Sequence, residues 1–554
     1  MEGDGWNQYQ AERILSSLTR EEWQFVEGVW EYIDSFWPQI AEKERRVTGS
    51  APEKVAAAPF SVTLADGTTI NLRGGYYPIK YDADRSTRSM ADEAAEVVKQ
   101  QLQGGYARAT TRRGHTKART ESVNRPVRKD LNVITDHLAQ VTHDLAWHEW
   151  LIDANRLINA APIDTAMREH YGPEFVKLMR DAIRDIAVGE PPAQNVFERG
   201  INHLRVGATI AGLGWNLMTS LMQPLGLTQS IVRIGAKHVG RGMMDLFGEP
   251  AKMNQKVAWV YEQSDFMRLR GKTMQREINE IRNTISASGF DWLADTLPKT
   301  EAARRTVADS YFMFIAWAQR TVDLPTWLGA YHKALDGGEQ HDRAVSLADQ
   351  AVVDSQGGGM VKDLAGIQRG SPMLKLWTNF YSFFNTTYNL SIESAKRTDF
   401  SQPSDVARLA MDYLLLYTVP TVIITLMKTA LTGDDDDWEP EKLADKLARE
   451  QLNSVFGTVV GARELAAAFQ GYTGYSGPAG TRFFAEFARL GKQLEQGEPD
   501  GAFFKALNNS AGVLLHYPSG AVNRAVSGVM AISEGEVEGV GMLTAPLFGP
   551  PRKQ

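Results

Sequence analysis

The sequence predicts a mainly α, elongated multi-helix protein with one small β-hairpin near the N-terminus. Three observations predict it. Apolar residues recur at steps of three and four through most of the chain after Ser89. Only one stretch, near residues 60–72, shows strand-like alternation around a turn signal. No short tandem repeat of the solenoid kind is visible.

The first element is "TREEWQFVEGVWEYIDSFWP". Thr19 and Glu22 stand at capping-box spacing. Trp23, Val26, Trp30, Ile33 and Trp37 follow on one helical face, and Pro38 marks the expected end. This face packs inside its own domain or, on a sharper reading, makes Trp23, Trp30 and Trp37 a subunit interface, since aromatic faces are common there. In "FSVTLADGTTINLRGGYYPIKYD", Val62 and Leu64 alternate with polar residues. Asp66-Gly67 supplies a turn, and Ile70 and Leu72 alternate on the return. Helical periodicity then runs through "RSMADEAAEVVKQQL", "DLNVITDHLAQVTHDLAWHEWLIDANRLI", "GPEFVKLMRDAIRDIAVG", "ERGINHLRVGATIAG", "RRTVADSYFMFIAWAQRTVD" and "DRAVSLADQAVVDSQ".

These elements suggest six segments. They are a Trp-faced helix and linker (1–58), a hairpin plus helix (59–106), a basic loop (107–130), a central helical domain (131–370), apolar helical segments (371–432) and a C-terminal helical region (433–554). The chain has 554 residues, a net charge of −7, 43 % hydrophobic and 23 % charged residues, and no cysteine. That composition is globular and excludes a wholly disordered chain. It also excludes a uniformly basic DNA coat, disulfides, thiolate metal sites and a cysteine nucleophile. The opening "MEGDGWNQYQAER" is unlike a secretory signal peptide, so synthesis in a cytosol is expected.

Three apolar stretches stand out. Residues 206–232 carry no charge but are interrupted by Gly207, Gly212, Gly214, Pro224 and Gly226. They read as a buried helix pair or as a conditional membrane surface around Trp215. In "LWTNFYSFFNTTYNLSI", Trp377, Tyr381, Phe384 and Tyr388 form one stripe. "YLLLYTVPTVIITLM", around Leu415, runs into Lys428 and then the acidic Asp434–Asp437. A resident membrane protein has longer spans and positive flanks. The expectation is a chain that is soluble by default, with near-threshold helices able to pack on one another or to face lipid.

No catalytic motif is complete. "HEWLI" has Ile152 where a zincin needs its second histidine. "GYSGP" is not a nucleophile elbow, and "QGGGMVKD" is not a phosphate loop. Asp144 and His148, with His137 and His143 upstream, have a spacing that could hold a metal, but such residues are more often hydrogen-bonded pairs. No catalytic, cofactor or metal residue is therefore assigned, and no enzyme activity is expected. Between Arg108 and Lys129, eight basic residues face one acid, Glu121, in a Thr-rich tract with Gly114 and Pro126. Such a loop suits non-specific phosphate contact through Arg112, Arg113, Lys117 and Arg119, or pairing with acidic protein faces.

The stretches "LRGGYYPIKYD", "NRPVRKDLNVITDHLAQVTHDLAWHEWLIDANRLI", "GWNLMTSLMQPLGLTQSIVRIG", "VDLPTWLGAYHKAL", "ADQAVVDSQGGG" and "QRGSPMLKLWTNFYSFFNTTYN" follow one another over roughly residues 70–430. In this order they resemble the large polyvalent and internal virion (ejection) proteins of tailed bacteriophages. The resemblance implies packaging in the virion interior, delivery with the genome, and assembly of a DNA-translocating conduit in the host envelope. The partners it implies are further copies of the chain, other ejection proteins, phage DNA and, conditionally, the host membrane. Two alternatives stay open: a structural virion scaffold without membrane contact, and a non-catalytic module of a polyvalent protein or cryptic peptidoglycan hydrolase.

Overall fold

Why the first helices start where they do is clear from their caps. A computed structural model of the chain describes residues 7–51, 54, 56–79, 81, 126–128, 132–188, 196–273, 278, 306–307, 309–369, 375–376, 378, 381–432, 439–456, 482–496, 500–537, 539 and 541–550. In it, α1 (Gln8–Ser17) is capped by Asn7, and α2 (Arg20–Asp34) by Thr19. The Glu22 amide donates to Thr19 Oγ1 at 3.2 Å and the Thr19 amide to Glu22 Oε2 at 2.7 Å, so two otherwise orphaned donors are satisfied reciprocally. The helix ends before Pro38. That proline does not terminate α2; it sits in the first turn of a new helix, α3 (Trp37–Thr48), where its missing N–H costs nothing.

The hairpin is as the alternation predicts. Strands β1 (Phe60–Thr63) and β2 (Thr69–Leu72) pair antiparallel, with Val62 opposite Ile70. Asp66 accepts from the Thr68 amide at 2.8 Å, and Gly67 adopts a φ of +85° that a side chain would resist. Val62, Leu64 and Leu72 close over Trp23. The fold is mainly α with this two-stranded hairpin.

The chain divides into two compact units, Met1–Glu190 and Pro191–Gln554. The division falls inside the segment 131–370 expected as one domain, and Trp23 and Trp30 of the first expected segment share a packing cluster with Val62, Leu64 and Leu72 of the second. The first unit continues with α4 (Asn132–Asn159), α5 (Ala161–Tyr171) and α6 (Pro173–Val188), which pack through Leu151, Ile158 and Ile183.

In the second unit, α7 (Val196–Leu213) ends at Gly214, and Trp215 takes a left-handed φ of +50°. Helix α8 (Leu217–Met222), a 3-10 turn at Gln223–Gly226 and α9 (Leu227–Ile234) follow. Residues 206–232 are thus three short helical pieces, broken at the glycines and Pro224, and do not form a continuous span. Helices α10 (Ala236–Phe247), α11 (Met253–Gln263), α12 (Asp265–Thr273), α13 (Met313–Asp336) and α14 (His341–Gln356) form the largest core around Trp327, Leu328 and Val352. Trp327 and Leu328 are fully buried in it, and Trp327 Nε1 donates to Asp349 Oδ1 at 2.7 Å, whereas Met244 and Trp317 on the same helices are exposed. Beyond it come α15 (Tyr381–Lys396), α16 (Pro403–Tyr413), a π turn at Leu414–Thr418, α17 (Val419–Thr432), α18 (Pro440–Phe456), α19 (Arg482–Gln496), α20 (Gly501–Leu515), α21 (Ser519–Ser533) and α22 (Gly541–Phe548).

Candidate functional site

Helices α15 to α17 bury rows of small hydroxyl side chains beside Leu390, Leu416 and Tyr417, and leave part of their apolar surface exposed. Along α15, Thr386, Thr387, Ser391 and Ser394 are buried, whereas Phe383 is 50 % and Tyr388 44 % exposed. Along α17, Thr421, Thr425 and Thr429 recur every four residues on the buried face, whereas Ile423 is 37 % and, in the π turn, Leu414 46 % exposed. Fully exposing a large apolar side chain forfeits roughly 1.5–3 kcal/mol of burial.

Hydrogen bonds make burial of the hydroxyls tolerable. Thr421 Oγ1 donates to the Tyr417 carbonyl at 2.6 Å and Thr425 Oγ1 to the Thr421 carbonyl at 2.9 Å. Ser391 Oγ lies 2.9 Å from the Tyr417 hydroxyl, Ser394 Oγ donates to Asp412 at 2.5 Å, and Gln229 Nε2 reaches Thr387 Oγ1 at 2.8 Å. Small hydroxyl and amide side chains therefore join α9, α15 and the π turn, as in helix packing within lipid.

The π turn has a sequence cause. Pro420 would clash with the carbonyl four residues back in a regular helix. The Val419 amide instead donates to the Leu414 carbonyl, five residues back, and the wider turn admits the ring without a break. The continuous helix Pro403–Leu431 is, among the described residues, the one helix long and apolar enough to cross a membrane, with a mean hydropathy of 1.7 in its best window. Core helices of soluble proteins pass the same test but are mostly buried; only 33 % of this window is.

The residues singled out from sequence fall in different places. Tyr388 faces outward, Tyr381 and Phe384 are half-buried, and Leu415 packs inward beside Val232, Leu390 and Leu416. The expected single stripe is thus split, and Phe383 and Ile423, not in the expected set, join the outer face. Trp215 is exposed but held, its Nε1 donating to the Ser310 carbonyl at 2.9 Å. Trp377, Arg112, Arg113, Lys117 and Arg119 lie outside the described residues. Trp23 is buried against the hairpin, Trp30 packs on the same cluster, and Trp37 begins α3, 5.8 Å beneath the Lys54 ammonium. The three tryptophans do not form a shared outer face, because Trp23 and Trp30 turn into the hairpin cluster and the chain breaks after Asp34, before Trp37 opens a new helix.

The missed signal is polar, not aromatic. Thr387 and Ser391 are spaced by four, as are Thr421, Thr425 and Thr429, inside otherwise apolar helices. Such spacing marks a helix face that seals by close approach and hydroxyl bonding.

Elsewhere, charged groups stitch helices. In the first unit the Lys43 ammonium sits 2.6 Å from Asp144 Oδ2, 3.0 Å from Glu44 Oε1 and 3.3 Å from His148 Nδ1, all buried. Among the described residues no group of three metal-ligating side chains forms. In the second unit, the rings of His203 on α7 and His516 at the end of α20 lie 4.2 Å apart. Each lies at hydrogen-bonding distance from a backbone carbonyl across the contact: His203 Nε2 from Leu514 at 3.1 Å and His516 Nε2 from His203 at 3.0 Å. Burial, and secondarily the neighbouring His203 ring, push the His516 pKa from 6.5 down to about 4; burial also lowers that of His203.

Comparison of the chain with protein-family models, with curated proteins and with solved structures finds no match.

Proposed function

We propose that this chain is a phage internal virion (ejection) protein, delivered with the genome, that helps form a conduit for DNA across the host envelope. The observation that carries the membrane half of the reading is the segment Pro403–Leu431, long and apolar enough to cross a membrane, with a third of its most apolar window buried and with Leu414 and Ile423 exposed beside a buried threonine row. The phage context rests on the ordered motifs of residues 70–430. Helices built on local contacts refold quickly after passage through a tail, and a chain without cysteine carries no bond to reduce on the way. Nothing in the reading requires a catalytic group. The cationic tract of residues 108–129 supplies sequence-independent contact with the passing phosphates.

The absence of cysteine gives a clean test, since any introduced thiol is unique. Ile423→Cys and Thr425→Cys are each labelled with a polarity-sensitive fluorophore and mixed with phospholipid vesicles. The reading expects a blue shift at position 423 and none at the inward position 425. No shift at 423 on any vesicle, with stable rings of the protein in detergent-free buffer, returns the protein to the scaffold alternative.

A further inference from the structure

A small cavity opens where α11, α12 and α13 meet. Tyr261 of α11, Met267 and Arg270 of α12, and Arg320, Asp323 and Leu324 of α13 line it. Arg270 is only 3 % exposed, yet the chain uses few of its donors. Its Nε donates to Asp323 Oδ2 at 3.1 Å and its Nη1 to the Gly357 carbonyl at 2.7 Å. A guanidinium has more N–H groups than these bonds occupy. Among the described residues Nη2 has no hydrogen-bond partner, and it is not sealed from solvent.

The carboxylate on the wall does not consume the spare donors. Asp323 is engaged on both oxygens, the second by Gln319 Nε2 at 2.9 Å, and its charge balances that of Arg270. Arg320 is left over: it is exposed and makes no ion pair among the described residues. The other acids of these three helices, Glu262, Asp265 and Asp336, do not line the cavity. Asp265 stands 2.6 Å from Arg268 and Asp336 2.7 Å from Arg241. The Tyr261 hydroxyl makes no hydrogen bond among the described residues. The cavity therefore offers a net positive charge and open donors from three side chains.

Trp317 stands at its side. It precedes Arg320 by one turn of α13, which puts their Cβ atoms about 5–6 Å apart on the helix surface. Trp317 is 69 % exposed and its indole meets no other ring among the described residues, whereas Trp327 on the same helix is fully buried. An occupant that satisfies all of these groups has phosphate oxygens for the guanidinium forks and a planar ring for the indole face. Inorganic phosphate and phospholipid headgroups bring the first without the second.

We propose that this cavity binds a nucleotide unit, its phosphate held by Arg320, Arg270 and Tyr261 and its base stacked on Trp317. The unit belongs to a free nucleotide or to a single strand, whose bases, unlike those of a duplex, are open to stacking. The inference goes beyond the conduit reading and does not depend on it.

The test measures binding of the full chain to thymidine monophosphate, to an oligothymidylate strand, to inorganic phosphate and to phosphatidylglycerol vesicles. For the strand, Arg112, Arg113, Lys117 and Arg119 are replaced by Gln throughout, so that the basic tract does not contribute. The chain is expected to bind the monophosphate or the strand more tightly than inorganic phosphate. W317A is expected to weaken that binding about tenfold, the effect of one lost stacked base, and R320Q to weaken it and phosphate binding alike. Both side chains are exposed, so circular dichroism and thermal unfolding should stay those of the wild type. A strand carrying iodouracil is expected to photocrosslink to the peptide that contains Trp317. Binding of the monophosphate alone makes the ligand a free nucleotide, and binding of the strand alone makes it a nucleic acid; either upholds the site. Equal affinity of W317A and wild type, or a crosslink confined to other peptides, overturns it. So does a W317A defect seen on vesicles with both nucleotide probes silent, which gives the face to lipid.

Discussion

His203 and His516 show how single residues hold the second unit. Gly207 brings α7 so close to α20 that a Cβ there would stand 1.8 Å from the Val513 carbonyl, and the two imidazoles close the contact. Gly207→Ala must push the helices apart and is expected to destabilise by about 1–3 kcal/mol, read by urea unfolding. The pair also sets a pH dependence. With the His516 pKa at about 4 when folded and 6.5 when unfolded, the unfolded state binds more protons between those values, so stability falls as pH falls through that window. The loss is on the order of 3 kcal/mol once pH reaches about 4. Hydrogen exchange of residues 501–515 should speed up across it. His516→Asn, which tolerates the left-handed backbone at φ +56°, should be less stable at neutral pH but lose that slope. An unchanged slope would place the titration elsewhere. In the first unit, Asp144→Asn takes the closest carboxylate from buried Lys43 and is expected to cost about 3 kcal/mol, seen as early melting of α3 and α4. The pattern of Asp144 and His148 is legible in the sequence as a polar cluster. That a lysine from a distant helix fills it is not, because spacing along the chain says nothing about what arrives from another element.

At the scale of elements, local chemistry is readable wherever neighbours along the chain supply it. The Thr19–Glu22 box, the Asp66-Gly67 turn and the breaks at Gly214 and Pro224 all involve residues a few positions apart. Pro38 misleads because a proline that ends one helix and one that begins the next look alike without the backbone path. The faces of α15 and α17 mislead for a related reason. Aromatics at helical spacing suggest one functional stripe, yet which side of an apolar helix is outward depends on which side its neighbours cover. The exposed apolar surface carries its own prediction. Ile423→Asp should cost about 1 kcal/mol of stability in lipid-free buffer, because the side chain is 37 % exposed and gives up only part of its apolar contact. It should weaken vesicle binding on the order of a hundredfold, the effect of a carboxylate placed at mid-bilayer. Equal losses in both measurements would mean that position 423 is structural.

Over the whole molecule, both units expose large apolar side chains, among them Trp150 and Leu178 in the first and Trp317 and Leu543 in the second. In the second, the core around Trp327 coexists with helices that bury small hydroxyls beside leucines and expose side chains such as Leu414 and Phe383. The DNA half of the proposed function belongs to this scale too. Replacing Arg112, Arg113, Lys117 and Arg119 by Gln should weaken binding to duplexes of any sequence alike. It should also flatten the salt dependence by about 0.9 in log–log slope for each phosphate no longer neutralised. An unchanged slope would remove the tract from the DNA path.

The sequence by itself determined the mainly α class, the hairpin, the caps and the breaks, since each follows from periodicity or from side chains that bond their own backbone nearby. Only the tertiary structure decided where the units divide, which face of each apolar helix is covered, that Lys43 stands between Asp144 and His148, and that His203 meets His516. Those outcomes turn on contacts between residues up to hundreds of positions apart, and no local preference encodes which distant surface arrives to cover a given face.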